Sequence, residues 1–174
     1  MANQNLPSNH IHGKPVRPIE TVYNGYRFRS RLEARWAVFL NALGLDYEYE
    51  KEGFETKYGR YLPDFWLPAQ QSWLEIKPYP TDPTEYDDVA INKLGAILAV
   101  GQSGLLVEGQ PLKYRAIEII RMESHTRYLS GENTLDLSFP TNALYARTDW
   151  GYYKKIGLAA GAAMKARFEH GEKP

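Results

Sequence analysis

The stretch 61-YLPDFWLPAQQSWLEIKP-78 decides how the chain is read, because three ionisable side chains interrupt two runs that otherwise have the character of interior β-strand. Asp64 is flanked by Leu62, Phe65, Trp66 and Leu67, while Glu75 and Lys77 alternate with Leu74 and Ile76. A period of two puts Glu75 and Lys77 on one face of their strand. Pro68 to Ser72 is a short connection of hairpin type, so the two strands are expected to pair antiparallel and bring Asp64 beside Glu75. Burying three charges costs several kcal/mol each unless they are paired or hold a metal, and an oxygen-rich pair of acids suits Mg²⁺. The pattern points to a metal-dependent site acting on phosphodiesters.

Upstream, the periodicity changes at Ser30. Leu32, Trp36, Phe39, Leu40 and Leu43 form one helical stripe that stops at Gly44. Glu33 borders that stripe and has two readings of equal weight. It can complete an acidic site, or it can be the third member of the S-x-x-E capping box begun by Ser30. Arg27, Arg29, Arg31 and Arg35 crowd the helix start, with Tyr26 and Phe28 between them; such a cluster grips phosphates or forms a solvated charged face. Tyr23-Asn24-Gly25-Tyr26 carries a turn signal, so folded structure is expected from Val22. A first strand is expected over Tyr47 to Glu50, continued by Phe54 to Tyr58 before Gly59 turns into the central hairpin.

Downstream, Pro78, Pro80 and Pro83 end the ladder, and a helix is expected from Thr84 to about Val100, with Ile91, Leu94, Ile97 and Leu98 on its apolar face. Leu105-Leu106-Val107 reads as a buried strand reached by a helical crossover, and Tyr114 to Met122 fits strand or helix equally. Residues 123–148 read as irregular structure or an additional element. A last helix is expected from Asp149 to about Phe168, carrying Lys154, Lys155, Lys165 and Arg167, with small residues at its centre. From Arg147 onward there are six Lys/Arg against three Asp/Glu, which suits contact with nucleic acid; a docking helix or a dimer contact is the alternative.

At 174 residues the chain suits one domain with tails, divided here into an N-terminal arm over 1–20, a core over 21–122 and a C-terminal extension over 123–174. His10 and His12, in the arm, receive no role. Formal net charge is zero, so a polyanionic partner would have to be met by local clusters and bound cations. The absence of cysteine removes disulfides, cysteine-based zinc sites and thiol nucleophiles, and is compatible with a reducing cytoplasm. Neither a signal-peptide pattern nor a membrane-length apolar run is present, so a soluble cytoplasmic protein with no membrane partner is expected.

With Glu33 on a first helix, Pro63-Asp64 at a strand, Glu75-Ile76-Lys77 on the next, then a helix and a buried strand, the chain resembles the PD-(D/E)xK nucleases of the restriction-endonuclease-like superfamily over roughly residues 27 to 110. The likeness is strongest to small phage nucleases and archaeal Holliday junction resolvases; if the chain is phage-encoded, its cytoplasm is that of a bacterial host. The resemblance implies an α/β (α+β) fold built as helix, three mainly antiparallel strands, helix and strand, with the last helix as an addition. It implies a DNA endonuclease acting on structured or branched DNA, in which Asp64, Glu75 and the Ile76 carbonyl ligate Mg²⁺ (or Mn²⁺), Glu33 binds directly or through water, and Lys77 orients the attacking water. A homodimer that cuts two strands belongs to the same expectation. The competing readings are a non-catalytic nucleic-acid-binding protein on the same scaffold, an interaction protein working through its last helix, and, for the charged residues alone, a structural ion-pair patch.

Overall fold

Asn24 and Gly25, both at positive φ (48° and 83°), close the turn between strands β1 (Thr21–Tyr23) and β2 (Tyr26–Phe28), with Tyr23 opposite Tyr26. A computed structural model describes residues 18–82, 86–132 and 150–168 of the chain. His10, His12 and most of the expected N-terminal arm, with residues 133–149 and 169–174 of the expected C-terminal extension, therefore lie outside the described residues. Helix α1 (Arg31–Leu43) begins where Ser30 caps it, its Oγ accepting the Glu33 N–H at 3.2 Å. It ends at Gly44, whose φ of 73° suits a residue without Cβ. Of the apolar stripe, Trp36, Phe39, Leu40 and Leu43 are in the core as the spacing predicts, while Leu32, in the first turn, is half-buried against it.

The first strand after α1 is shorter than expected. Strand β3 (Glu48–Tyr49) stops at Glu50, whose φ of 46° takes the chain out of extended conformation. The expected continuation into the central hairpin is corrected accordingly: β4 (Phe54–Thr56) and β5 (Gly59–Tyr61) form a separate two-stranded hairpin of their own. The central hairpin then forms from β6 (Phe65–Leu67) and β7 (Ser72–Lys77), antiparallel, with Phe65 opposite Leu74.

Helix α2 (Asp88–Ile97) starts later than the sequence suggested because Asp87 is its cap, accepting the Ala90 N–H at 3.0 Å; residues 83–85 lie outside the described residues. It ends at Ile97 rather than Val100, since Leu98 is already extended. The helix carries the chain over to β8 (Ser103–Gln110), which pairs parallel with β7 as a crossover requires. The open question over 114–122 resolves as strand β9 (Lys113–Arg121), antiparallel to β8, and β10 (Thr126–Glu132) adds to it as a further hairpin. The six-stranded sheet runs β10-β9-β8-β7-β6-β3, so the fold is mixed α+β with a mostly antiparallel sheet.

Alternation along the strands divides the core into two layers. Phe65, Leu67, Leu74, Ile76, Leu105 and Val107 face α1, while Trp66, Trp73, Leu106 and Ile119 face α2. Helix α3 (Trp150–Lys165) packs on α1, and its small residues are the reason: Ala159, Ala160 and Ala163 are buried there together with Ala166, just beyond the helix. Among the described residues no helix is long and apolar enough to cross a membrane.

Candidate active site

The register of the central hairpin determines the geometry of the site. Continuing one step back from the Phe65–Leu74 pair puts Asp64, just before β6 begins, across from Glu75, where β7 runs on. The Ile76 N–H is thereby freed from the ladder and donates to Asp64 Oδ2 at 2.7 Å; the Ile76 carbonyl leaves the strand on the same side. Asp64 Oδ1 accepts the Arg29 guanidinium at 3.0 Å, and Arg29 also pairs with Glu50. Glu75 accepts Lys77 Nζ on Oε1 at 2.6 Å and the Tyr61 hydroxyl on Oε2 at 3.0 Å. Lys77 stands in register with Glu108 of β8, but Glu108 is taken by Arg115 in a buried pair, so the ammonium turns to Glu75.

Glu33 combines its two sequence readings. Its Oε1 accepts the Ser30 hydroxyl at 2.6 Å, while Oε2 accepts the Tyr49 hydroxyl at 2.6 Å and the Arg29 N–H at 3.1 Å. The reciprocal half of the capping box is thus moved one residue upstream, to Arg29. The same buried carboxylate faces Asp64 closely enough to raise its pKa. Glu33, Asp64 and Glu75 are all buried, at 8%, 3% and 5% exposure, an unusual depth for carboxylates.

The electrostatics follow from that crowding. Burial, then the Glu75 and Glu33 charges, push the Asp64 carboxyl well above the ordinary 3.8, and the Ile76 N–H and Arg29 only partly offset them. Burial pulls the Lys77 ammonium down, yet Glu75, Asp64 and Asp87 outweigh it and leave its pKa raised, so Lys77 is charged at neutral pH. Burial followed by Glu75 pushes up the Tyr61 hydroxyl, and burial followed by the Glu33 hydrogen bond pushes up Tyr49; both remain donors.

Glu33, Asp64, Glu75 and Lys77 line one open cleft of about 1210 Å³, along with Arg29 from the segment before α1, Arg31 and Arg35 from the start of α1 and Arg60 from β5. In sequence comparison, the chain matches no protein-family model and no curated protein.

The other basic residues singled out in the sequence do not join the cleft. Arg27 is exposed beside Glu20, and Lys154, Lys155, Lys165 and Arg167 are exposed on or just beyond α3 without lining it. Three participants were missed. Tyr49 had a signal, since it alternates with Glu48 and Glu50 on a strand. Tyr61 and Arg60 had none, because Phe54 to Tyr58 is expected to continue the first strand and Gly59 to turn directly into the central hairpin, with no separate hairpin to deliver them.

The donor set can be weighed against a divalent cation. Two opposed carboxylates and a carbonyl are hard oxygen donors of the type Mg²⁺ and Mn²⁺ take, and the raised Asp64 pKa records buried negative charge that a cation would offset. Among the described residues, however, no three His, Asp or Glu side chains are drawn together as a ready cage. Arg29 instead supplies part of the compensating charge. The chemistry of the donors fits; the carboxylates are turned onto protein cations.

Proposed function

We propose that the protein is a divalent-metal-dependent nuclease that hydrolyses phosphodiester bonds in DNA, acting in the cytoplasm on branched or otherwise structured substrates as Holliday junction resolvases do. The observation that carries this reading is the pairing of Asp64 with Glu75 at the end of the central hairpin, with Lys77 two residues on, in a cleft lined by Arg31 and Arg35. Asp64, Glu75 and the Ile76 carbonyl would hold Mg²⁺ or Mn²⁺, which supplies an acidified water and offsets charge on the phosphate. The chain's own residues do the rest. Glu75 keeps the Lys77 ammonium charged and aimed into the cleft, where it orients a water by hydrogen bonding and faces the charge that develops on the phosphate. Tyr61 fixes the second oxygen of Glu75, and Tyr49 fixes Glu33, so that both carboxylates are held in one rotamer. Arg31 and Arg35, on successive turns of α1, meet phosphates on either side of the one attacked.

A second reading has its own observation. With Arg29 on Asp64 and no assembled three-carboxylate cage among the described residues, the cleft also suits a nucleic-acid-binding protein that does no chemistry. A panel of linear, nicked, single-stranded and four-way DNA, incubated with Mg²⁺, Mn²⁺ or chelator, separates the two. Metal-dependent cleavage that disappears in Glu75→Ala supports the nuclease; binding without cleavage of any substrate in either metal supports the alternative. A second cut on the opposing strand needs a second site, so sedimentation with and without four-way DNA tests the homodimer.

A further inference from the structure

The acidic cleft does not end at Lys77. Leu32, Arg35 and Pro78 line it and also line a second recess of about 500 Å³, which lies between the start of α1, the β8–β9 turn and the end of α3. One wall is made possible by Gly109, at φ 121°, where a Cβ would stand 2.3 Å from the Lys113 carbonyl and 3.0 Å from the Tyr79 ring. Without that side chain, the Tyr79 ring can lie against the end of β8. Lys113 holds its ammonium 5.0 Å over the ring centroid. Leu112, at the tip of the turn, is 57% exposed, and Met164 of α3 closes the far side. Arg35 is the link between the two cavities, and its Nε is buried with no hydrogen-bond partner. A buried donor of this kind is costly to leave unmet, so the guanidinium gains by turning toward an acceptor held in either cavity.

We propose that this recess holds one unstacked nucleotide of the strand that runs past the acidic residues, its base against Tyr79 and Leu112 and its phosphate on Arg35 and Lys113. The inference deepens the nuclease reading and rests on it for the path of the strand. The recess has the size of a small-ligand site and admits a nucleotide, not a duplex. Its chemistry is that of a single-strand site: an aromatic platform and apolar walls, with cations at the edge. Lys113 is exposed and carried on a flexible stem, so it can leave the ring face for a phosphate when a base takes its place. The consequence is a substrate preference. A strand with an unpaired nucleotide next to the attacked phosphate, as at a fork or junction, fills both cavities, whereas a continuous duplex fills only the first.

The test is fluorescence anisotropy in chelator, with a short fluorescein-labelled single-stranded DNA and a blunt duplex of the same sequence as probes. Tyr79→Ala should weaken single-strand binding by about fivefold to a hundredfold, the range that loss of one base–aromatic stack gives. Tyr79→Phe should restore it to within about twofold of the parent. Leu112→Asp, at an exposed position that leaves the fold intact, should also weaken it by at least about fivefold, and none of the three should change duplex binding. Single-strand affinity unchanged in both Tyr79→Ala and Leu112→Asp overturns the inference, as does an equal loss on both probes. The outcome is separable from the nuclease reading. A parent that cleaves DNA while these variants bind normally removes only the recess; a parent that cleaves nothing yet shows Tyr79-dependent binding removes only the nuclease.

Discussion

Replacing Asp64 by Asn removes one of two carboxylates that face each other inside the protein, and the substitution should stabilise the fold while abolishing cleavage. Opposed cross-strand residues have Cβ atoms about 5 Å apart, and two unit charges at that spacing repel by about 3 kcal/mol at an effective dielectric of about 20. The amide relieves this repulsion and the burial of a charge. Against the gain stand two losses. The Ile76 N–H bond changes from a charged to a neutral acceptor, at a cost of about 1 kcal/mol. The ion pair with Arg29, whose side chain is 55% exposed, is worth no more than about 1 kcal/mol, and Arg29 keeps Glu50 as a partner. The balance favours the variant by about 1 kcal/mol, or about 2–4 °C in Tm for a chain of this size.

The pH dependence carries a second signature with a definite sign. Asp64 has a folded pKa above its unfolded 3.8, so between those values the native state binds a proton that the unfolded state has lost, and stability of the parent falls as pH rises through that window. The amide of the variant does not titrate. The Tm advantage of Asp64→Asn should therefore be small near pH 4 and grow toward pH 8, as read by calorimetry at matched ionic strength. A variant less stable than the parent at pH 8, or a difference that ignores pH, would show that Asp64 is a well-paired structural carboxylate and refute the crowded-site argument.

Mg²⁺ should raise the Tm of the parent, by about 2.7 kcal/mol of added stability at a hundred times Kd, and leave Asp64→Ala and Glu75→Ala unmoved in the same thermal-shift titration. Lys77→Met should keep the Mg²⁺-induced shift while cleavage falls by at least about tenfold. Because the Lys77 pKa is raised in the fold, the stability it contributes is complete below 10.5 and lost as pH climbs through the raised value, so the parent–variant Tm gap should narrow only in strong alkali. Glu33→Gln keeps the Ser30 bond to the helix start and relieves its repulsion with Asp64, but it weakens three bonds to a charged acceptor by about 1 kcal/mol each, so Tm falls by a few degrees. Assayed well below that Tm, a fall in cleavage of at least about tenfold assigns Glu33 to the site, whereas the parental rate leaves it a cap.

What was legible in the sequence divides along a physical line. Helix α1 could be read from end to end because its signals are local: Ser30 and Gly44 act on backbone groups within one turn, and the stripe of Trp36, Phe39, Leu40 and Leu43 has a period no strand shares. The pairing of Asp64 with Glu75 was legible for a similar reason, since a short connection between two apolar runs leaves few registers. Strand length was not. Glu50 at positive φ breaks β3, and nothing in the residue type announces it; its partners come from far along the chain, the Asp64 carbonyl accepting its N–H at 2.9 Å and Arg29, 21 positions earlier, pairing with its carboxylate.

The same long-range contact explains why acids at metal-ligand spacing in the sequence do not by themselves make a metal cage. The sequence shows acids at the right spacing along strands, and spacing along a strand fixes which face a side chain takes. It does not fix what compensates the charge there. Arg29 belongs to the segment between β2 and α1, whose course is set by the Ser30 cap and by the Tyr49 hydroxyl accepting the Arg29 N–H. Those contacts carry a guanidinium to Asp64 that no local rule would place there. The arginine cluster read as a phosphate grip thus has two fates in one short stretch: Arg31 and Arg35 line the cleft on the helix, while Arg29 neutralises its floor. Removing only the latter, by Arg29→Gln, should deepen the Asp64–Glu75 repulsion, lower Tm at pH 8 more than at pH 4, and increase the Tm rise produced by Mg²⁺, because the cation then has no internal competitor. An unchanged Mg²⁺ response would mean that the guanidinium and the metal do not share a site.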